Sequence, residues 1–495
     1  MTRHTPLTHG FLRVVQGTGP AQPMRPEPLD LPAAPRLSVS ELAAEMAELF
    51  ALALMSECHL DDLDNPHCTV RINGATRFNL HELLCEMRSL PWCDAAAPLP
   101  DLAGAASPPA AERRAIRWNG QAQMTLKTLL RSGVRRPDGA GMRLSGLFAT
   151  DHPVGPAKGP LPAPAASAQL SEWSQWCAAH SGAGLALPGR GAAGAQITTL
   201  AQLARHVFDA PPARAFHCAT LASLAHGTPF DEGLAPVPGT PGRWTGGRLF
   251  ALMAQAEEQA RWAALRRLAQ ADRLTRPGVT AARMTVYLAR EERQEHMPDA
   301  RYRHAADMLA RHSANLLGWV SHANAAARGP QRFDQSLFLP LGSCSGSVYP
   351  SDAAAHVVVA GALATLMKAV FDTSRPRHLR LAGKSAAPMD LADELDLLVA
   401  NTAMARVVSG GFYPSENHQD MRLGQAIALQ VLRQALSEDN RSATLSFRDF
   451  DGRALRIVAH PRQFGRGLVE LRDAAGSLPW PQMAAPPAAH LTAVM

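Results

Sequence analysis

Apolar residues recur at intervals of three and four through most of the second half of this chain, the period of helices that each bury one face. Runs at 197–208, 214–226, 246–272, 278–293, 299–327, 353–372, 390–409 and 415–437 carry the pattern, and only short breakers join them. Such a succession predicts helices packed as a bundle. An earlier run, Glu41 to Met55, has the same period, with acids in its first turn and a capping hydroxyl available from Ser38 or Ser40. Ser415 is placed to cap the run that follows it. Near the end the period changes to two. Ala443 to Val458 alternate apolar and polar residues around Asp451-Gly452, which predicts a small two-stranded tail. The fold class is therefore all-α, helical bundles with a small C-terminal β-hairpin.

Three stretches lack either rhythm. Residues 1–36, rich in Pro, Thr and Gly, read as an extended arm. Residues 95–115 and 151–195 are Ala/Pro/Gly-rich and read as long surface connections or insertions within a single helical domain covering 37–495. No internal repeat is evident.

Composition narrows the function more than the fold. A hydrophobic content of 46% is enough for a sizeable core. The net charge of +6 comes with only 5% aromatics and no dense Lys/Arg run with interleaved rings, so nucleic-acid binding is not expected. Seven cysteines (58, 68, 85, 93, 177, 218 and 344) form no C-x-x-C pair or Cys/His cluster, which argues against a zinc site or a disulfide framework. The segment Met1 to Gly10 has no apolar core of a signal peptide, and no apolar run reaches ~18 residues. A soluble, cytoplasmic protein with no membrane association is the expectation.

Two segments carry the most specific information. Val348 to Lys368 reads VYPSDAAAHVVVAGALATLMK, and Ala405 to Gln425 reads ARVVSGGFYPSENHQDMRLGQ. Together they resemble the anion-site helices of the vanadium-dependent haloperoxidases of the bromoperoxidase type, within the superfamily shared with type 2 phosphatidic acid phosphatases. The resemblance covers roughly 37–60 and 214–460 and is strongest from 337 onward. It implies a helical haloperoxidase fold ending in a hairpin, a vanadate cofactor, peroxide-dependent halide oxidation and a homo-oligomer.

Vanadate is a multiply charged oxyanion, so its site needs Arg or Lys neutralisation, donors at a helix start and one nitrogen to bond the metal. The resemblance distributes these over three segments. In the first, Thr245 to Met253 leading to Arg273-Leu274-Thr275-Arg276-Pro277 places the family Arg on Arg276 and the family Lys on Leu268. Arg267 is adjacent, but one step along a helix rotates a side chain by roughly 100°. The alternative is that Arg266, Arg267, Arg273 and Arg276 form a solvated basic face.

In the second segment, His356, five residues before Gly361, falls on the family His, with Ala354 and Ala355 where the family has Ser and Gly. In another register Pro350-Ser351-Asp352 matches the family's Pro-Ser-Gly, and Ser351 keeps the hydroxyl. The first register fits without a gap and is preferred; Asp352 then places a negative charge in the first turn. A satisfied buried histidine is the bland reading of His356.

In the third segment Arg406, followed by Gly410-Gly411, falls on the anion-binding Arg, and the family's spacing of six lands on Phe412 instead of the axial His. A phenyl ring cannot bond vanadium. His418, six residues further on, is the remaining metal candidate. Arg406 also has a structural explanation, since a cation in a helix's last turn gains roughly 0.3–1 kcal/mol from the helix dipole.

Arg276, Arg406, Arg267 and Ser351 are thus the anion-binding candidates, and His356 is the catalytic one. Three readings stay open. One is a haloperoxidase using vanadate through another nitrogen. Another is a vanadium-independent enzyme with His356 as acid/base and Arg276 and Arg406 holding a small anionic substrate. The third is a non-catalytic scaffold.

Overall fold

The protein is described by a computed structural model. It covers residues 31, 36–98, 108–119, 121–130, 143–151, 197–236, 242–268, 274–288, 299–328, 336–338, 355–378 and 388–481. Most of the expected arm, nearly all of the 151–195 insertion, and Ser351 with Asp352 and Ala354 lie outside these residues.

The chain opens with α1 (Val39–Leu54), whose start is fixed by Ser38: its hydroxyl accepts the Glu41 amide at 3.1 Å. The hairpin β1 (Thr69–Arg71) and β2 (Arg77–Asn79) leads directly into α2 (Leu80–Arg88). Then come α3 (Pro108–Ala115), α4 (Leu126–Leu129), α5 (Leu200–Asp209), α6 (Arg214–Ala225), α7 (Gly246–Leu268) and α8 (Pro277–Leu288).

The run expected as one helix over 299–327 is two, α9 (Ala300–His312) and α10 (Ala314–Arg328). Ser313 divides them. Its hydroxyl donates to the Glu86 carbonyl (2.9 Å), and the Glu86 carboxylate accepts the Asn315 amide (3.1 Å), so a contact from α2 caps α10.

The centre of the molecule is α11 (Ala355–Val370), almost wholly buried, packed against α12 (Leu391–Val408) and α13 (Pro414–Asp439). Two short strands, β3 (Arg377–His378) and β4 (Pro388–Met389), lie between α11 and α12 in the chain. Helices α11 and α13 meet backbone to backbone at two glycines. A Cβ on Gly361 would lie 2.5 Å from the Met421 carbonyl oxygen, and one on Gly424 would overlap the Val358 carbonyl oxygen. Lys368, near the end of α11, is buried, with Nζ 2.6 Å from Asp396 and 4.0 Å from the centre of the Phe450 ring.

The expected hairpin is present as β5 (Ala443–Arg448) and β6 (Ala454–His460), turning at Gly452 with φ +78°. It is extended by β7 (Leu468–Asp473) and β8 (Gly476–Leu478) into a four-stranded antiparallel meander. One face buries Leu445, Phe447, Leu455, Ile457, Val469 and Leu471. The described residues thus form the expected helical architecture with a small C-terminal sheet.

The stretch 95–115, expected as a surface connection, ends in α3, and its arginines enter the core. Charge explains the difference. Glu41, Glu45 and Glu48 lie on one face of an otherwise apolar α1, and burying them requires cations from elsewhere in the chain. Arg113 grips Glu41 through two bonds, of 2.6 and 2.9 Å, and Arg117 bridges Glu45 and Glu48.

Candidate functional site

Two of the candidates, His356 and Arg406, come together where the end of α5, the start of α11, the end of α12 and the loop 409–413 meet. His356 stands in the first turn of α11. Its Nε2 lies 3.3 Å from the Ala210 carbonyl just beyond α5, and since a carbonyl only accepts, that nitrogen carries the proton. Burial first, and then the nearby Arg406 charge, push the His356 pKa down to about 4, against the opposing bond to Ala210. At neutral pH the ring is uncharged.

Arg406 is in the last turn of α12, as the helix-dipole argument expects. Its guanidinium lies over two aromatic rings, 4.6 Å from the Phe412 centroid and 5.8 Å from that of Phe208. Cation–π contact at these distances contributes roughly 0.5–2 kcal/mol and holds the charge in place.

The backbone next to Arg276 is tied to the loop that carries Phe412. Tyr413, directly after Phe412, donates its hydroxyl to the Thr275 carbonyl at 3.0 Å and lies 2.7 Å from the Thr280 hydroxyl. These bonds tie the loop carrying Phe412 to the backbone beside Arg276. Arg276 itself is half-buried, with Nε enclosed and no hydrogen-bond partner among the described residues.

Arg267 is neither solvated nor available. Its side chain is fully buried and bonds Asp420 and, at 2.8 Å, Gln419 Oε1, both in the early turns of α13. It fastens α7 to α13, and the solvated-face reading of this arginine fails for that reason.

His418 lines a different space. It borders a small cavity of about 40 Å³ with Glu48, Arg113, Arg117, Met404, Val407 and Ser415. On α12, Met404 and Val407 are three apart and share a face, whereas Arg406 is turned away from Val407 by roughly 100°. His418 thus borders the carboxylate cluster of α1, while Arg406 stacks on Phe412.

Ser415 does not cap α13, which begins one residue earlier with Pro414. Its amide and hydroxyl instead donate to Glu45 Oε2 at 3.0 and 3.1 Å. Three carboxylates against two guanidiniums leave one charge unmatched in this cluster. Burial, opposed by Arg117, pushes Glu48 up to about 7, and burial raises Glu41 as well. Sequence reasoning missed the cluster, as well as Tyr413, Phe208 and Asp420. The available clue was the spacing of Glu41, Glu45 and Glu48 by four and three within an apolar helix, with Arg113 and Arg117 four apart.

No protein-family model matches the chain. Over 135 residues, a quarter of its length, it is 27% identical to the vanadium-dependent bromoperoxidases of Corallina pilulifera and Corallina officinalis. The matched region spans 23% of those proteins. The fold is similar to that of the homohexameric second vanadate-dependent bromoperoxidase (AnII) of Ascophyllum nodosum. The TM-score is 0.61 at 15% identity, covering 91% of this chain and 75% of that one. Fold and sequence both support a relationship to the haloperoxidases. Among the described residues, no helix is long and apolar enough to cross a membrane.

Proposed function

We propose that this is a haloperoxidase-fold protein whose corner between α5, α11 and α12 binds a small oxyanion through Arg406, with Arg276 beside it and His356 linked to the same event by a proton. The reading rests on one observation: the Arg406 guanidinium lies over the ring of Phe412, 4.6 Å from its centroid, at the position where the haloperoxidase resemblance asks for a metal-bonding nitrogen. The described residues fit vanadate poorly. Phe412 offers no lone pair, Arg267 is committed to Asp420, and His418 borders the cavity beside Glu48. Peroxide-dependent halide oxidation is therefore absent or altered in this reading.

His356 sharpens the chemistry. Its ring is hydrogen-bonded to the backbone at Ala210, with Val207 a second backbone partner. Burial is the first cause of the ring's neutrality and the Arg406 charge the second; a bound anion near Arg406 would offset the second and favour the protonated ring. Anion binding should tighten as pH falls toward the depressed pKa of about 4. The vanadium-independent enzyme reading follows the same geometry, with His356 serving as a base instead of an acid at neutral pH. We also propose that the protein assembles with copies of itself.

Calorimetric titration with sulfate, whose charge is constant across this range, tests the reading. Binding should be tighter at pH 5 than at pH 7.5. Arg406→Ala should abolish it with the circular dichroism unchanged, and His356→Gln should remove the pH dependence. Stoichiometric vanadate surviving desalting, together with bromination of a test substrate by peroxide, would overturn the proposal.

A further inference from the structure

Away from this corner, two cysteines from opposite ends of one loop stand side by side. Cys58 follows the turn that closes α1, its amide donating to the Met55 carbonyl at 2.9 Å. Cys68 immediately precedes β1, with its amide bonded to the Asn65 carbonyl at 3.0 Å and its own carbonyl accepting from Leu80 at 3.1 Å. The loop between them is fixed at several points. Leu60 donates to the Thr198 carbonyl at 2.8 Å, and the amides of Asp62 and Asn65 close successive turns.

The two thiols line one cleft and interact with one another. Both are half-buried in the wall of a cleft of about 560 Å³, which His59, Asp62 and Arg71 also line and which Ala323 and Ala327 of α10 face. The pair is thus preassembled and reachable by a small oxidant.

We propose that Cys58 and Cys68 are a redox pair that closes into an intramolecular disulfide when a peroxide enters the cleft. In the first step one thiolate sulfur attacks a peroxide oxygen. The O–O bond breaks, and the departing oxygen leaves as water with the thiol proton, giving a sulfenic acid. The second sulfur then displaces the sulfenic oxygen: the S–S bond forms, the S–O bond breaks, and a second water leaves. Two thiols lose two electrons in all, and one hydrogen peroxide becomes two waters. Burial first, and then the neighbouring sulfur, push the Cys58 thiol up to about 12, and Cys68 is raised as well. Closure is accordingly slow at neutral pH and accelerates in alkali. The bond would tie the start of the β1–β2 hairpin to the end of α1.

The test uses the full chain, reduced, desalted and then treated with hydrogen peroxide at about pH 8.5, where a larger thiolate fraction exists. Free thiols are alkylated, and the protein is digested without reductant for mass spectrometry. The expected product is the Cys58–Cys68 cross-linked peptide, two hydrogens lighter than the separate peptides and released by dithiothreitol. Its formation should raise the unfolding midpoint of the wild type, and Cys58→Ser should not show that rise. Cys85 is the internal control, being exposed with its sulfur 3.7 Å from His81 Nε2, and should be recovered alkylated or singly oxidised. Recovery of Cys58 and Cys68 as separately alkylated or overoxidised peptides, or paired with other cysteines, would overturn the proposal.

Discussion

At position 412 the side chain presents a π face to Arg406, where an imidazole would present a lone pair. The Arg406 guanidinium lies over that ring, 4.6 Å from its centroid. Phe412→His should therefore raise the vanadium retained after desalting above the wild-type level, as read by elemental analysis; unchanged retention would count against the register that equates this position with the axial one. Two buried ionisable groups set opposite pH dependences of stability. The His356 pKa is depressed from 6.5 to about 4, so its contribution is complete above 6.5 and is lost as pH falls through 4. The Glu48 pKa is raised from 4.5 to about 7, so its contribution is complete below 4.5 and is lost as pH rises through 7. Urea midpoints measured from pH 4 to 8 should show His356→Gln flattening the acid side and Glu48→Gln the neutral side.

Helices α11 and α13 owe their close approach to Gly361 and Gly424, whose missing Cβ atoms leave room for the facing carbonyls. Gly424→Ala forces these helices apart, since the clash is with backbone and no side chain can swing away. A loss of ~3 kcal/mol is expected, at the upper end of overpacking costs, and urea denaturation measures it. Element existence was largely legible from periodicity. Ser38 caps where a hydroxyl ahead of an apolar run should, and Asp451-Gly452 turns where the alternation predicted. The division at Ser313 was not legible, because the cap comes from Glu86, more than two hundred residues away in sequence. Nor was α3, whose composition resembles a loop and whose reason for folding is the carboxylate face of α1.

At the scale of the whole molecule, the fold shared with the Ascophyllum protein extends over most of the chain, whereas detectable sequence similarity to the Corallina proteins covers a quarter. Helix α7 leaves Trp262 and Leu265, three residues apart and hence on one face, at 60% and 55% exposure. If copies of the chain associate as proposed, sedimentation velocity at micromolar concentration should show species heavier than the 52.9 kDa monomer, and Trp262→Glu should lower that mass. A single monomeric boundary for the wild type would refute the assembly.

The sequence by itself determined the helices of the second half, the terminal hairpin, and the three segments carrying Arg276, His356 and Arg406, because periodicity and turn chemistry are local. Only the tertiary structure decided how the charges are used. It gave Arg267 to Asp420 and Arg117 to Glu45 and Glu48, set His418 beside the α1 cluster, and laid Arg406 on Phe412. A buried charge is satisfied by whatever partner the packing brings within reach, and that partner is set by the fold of the whole chain.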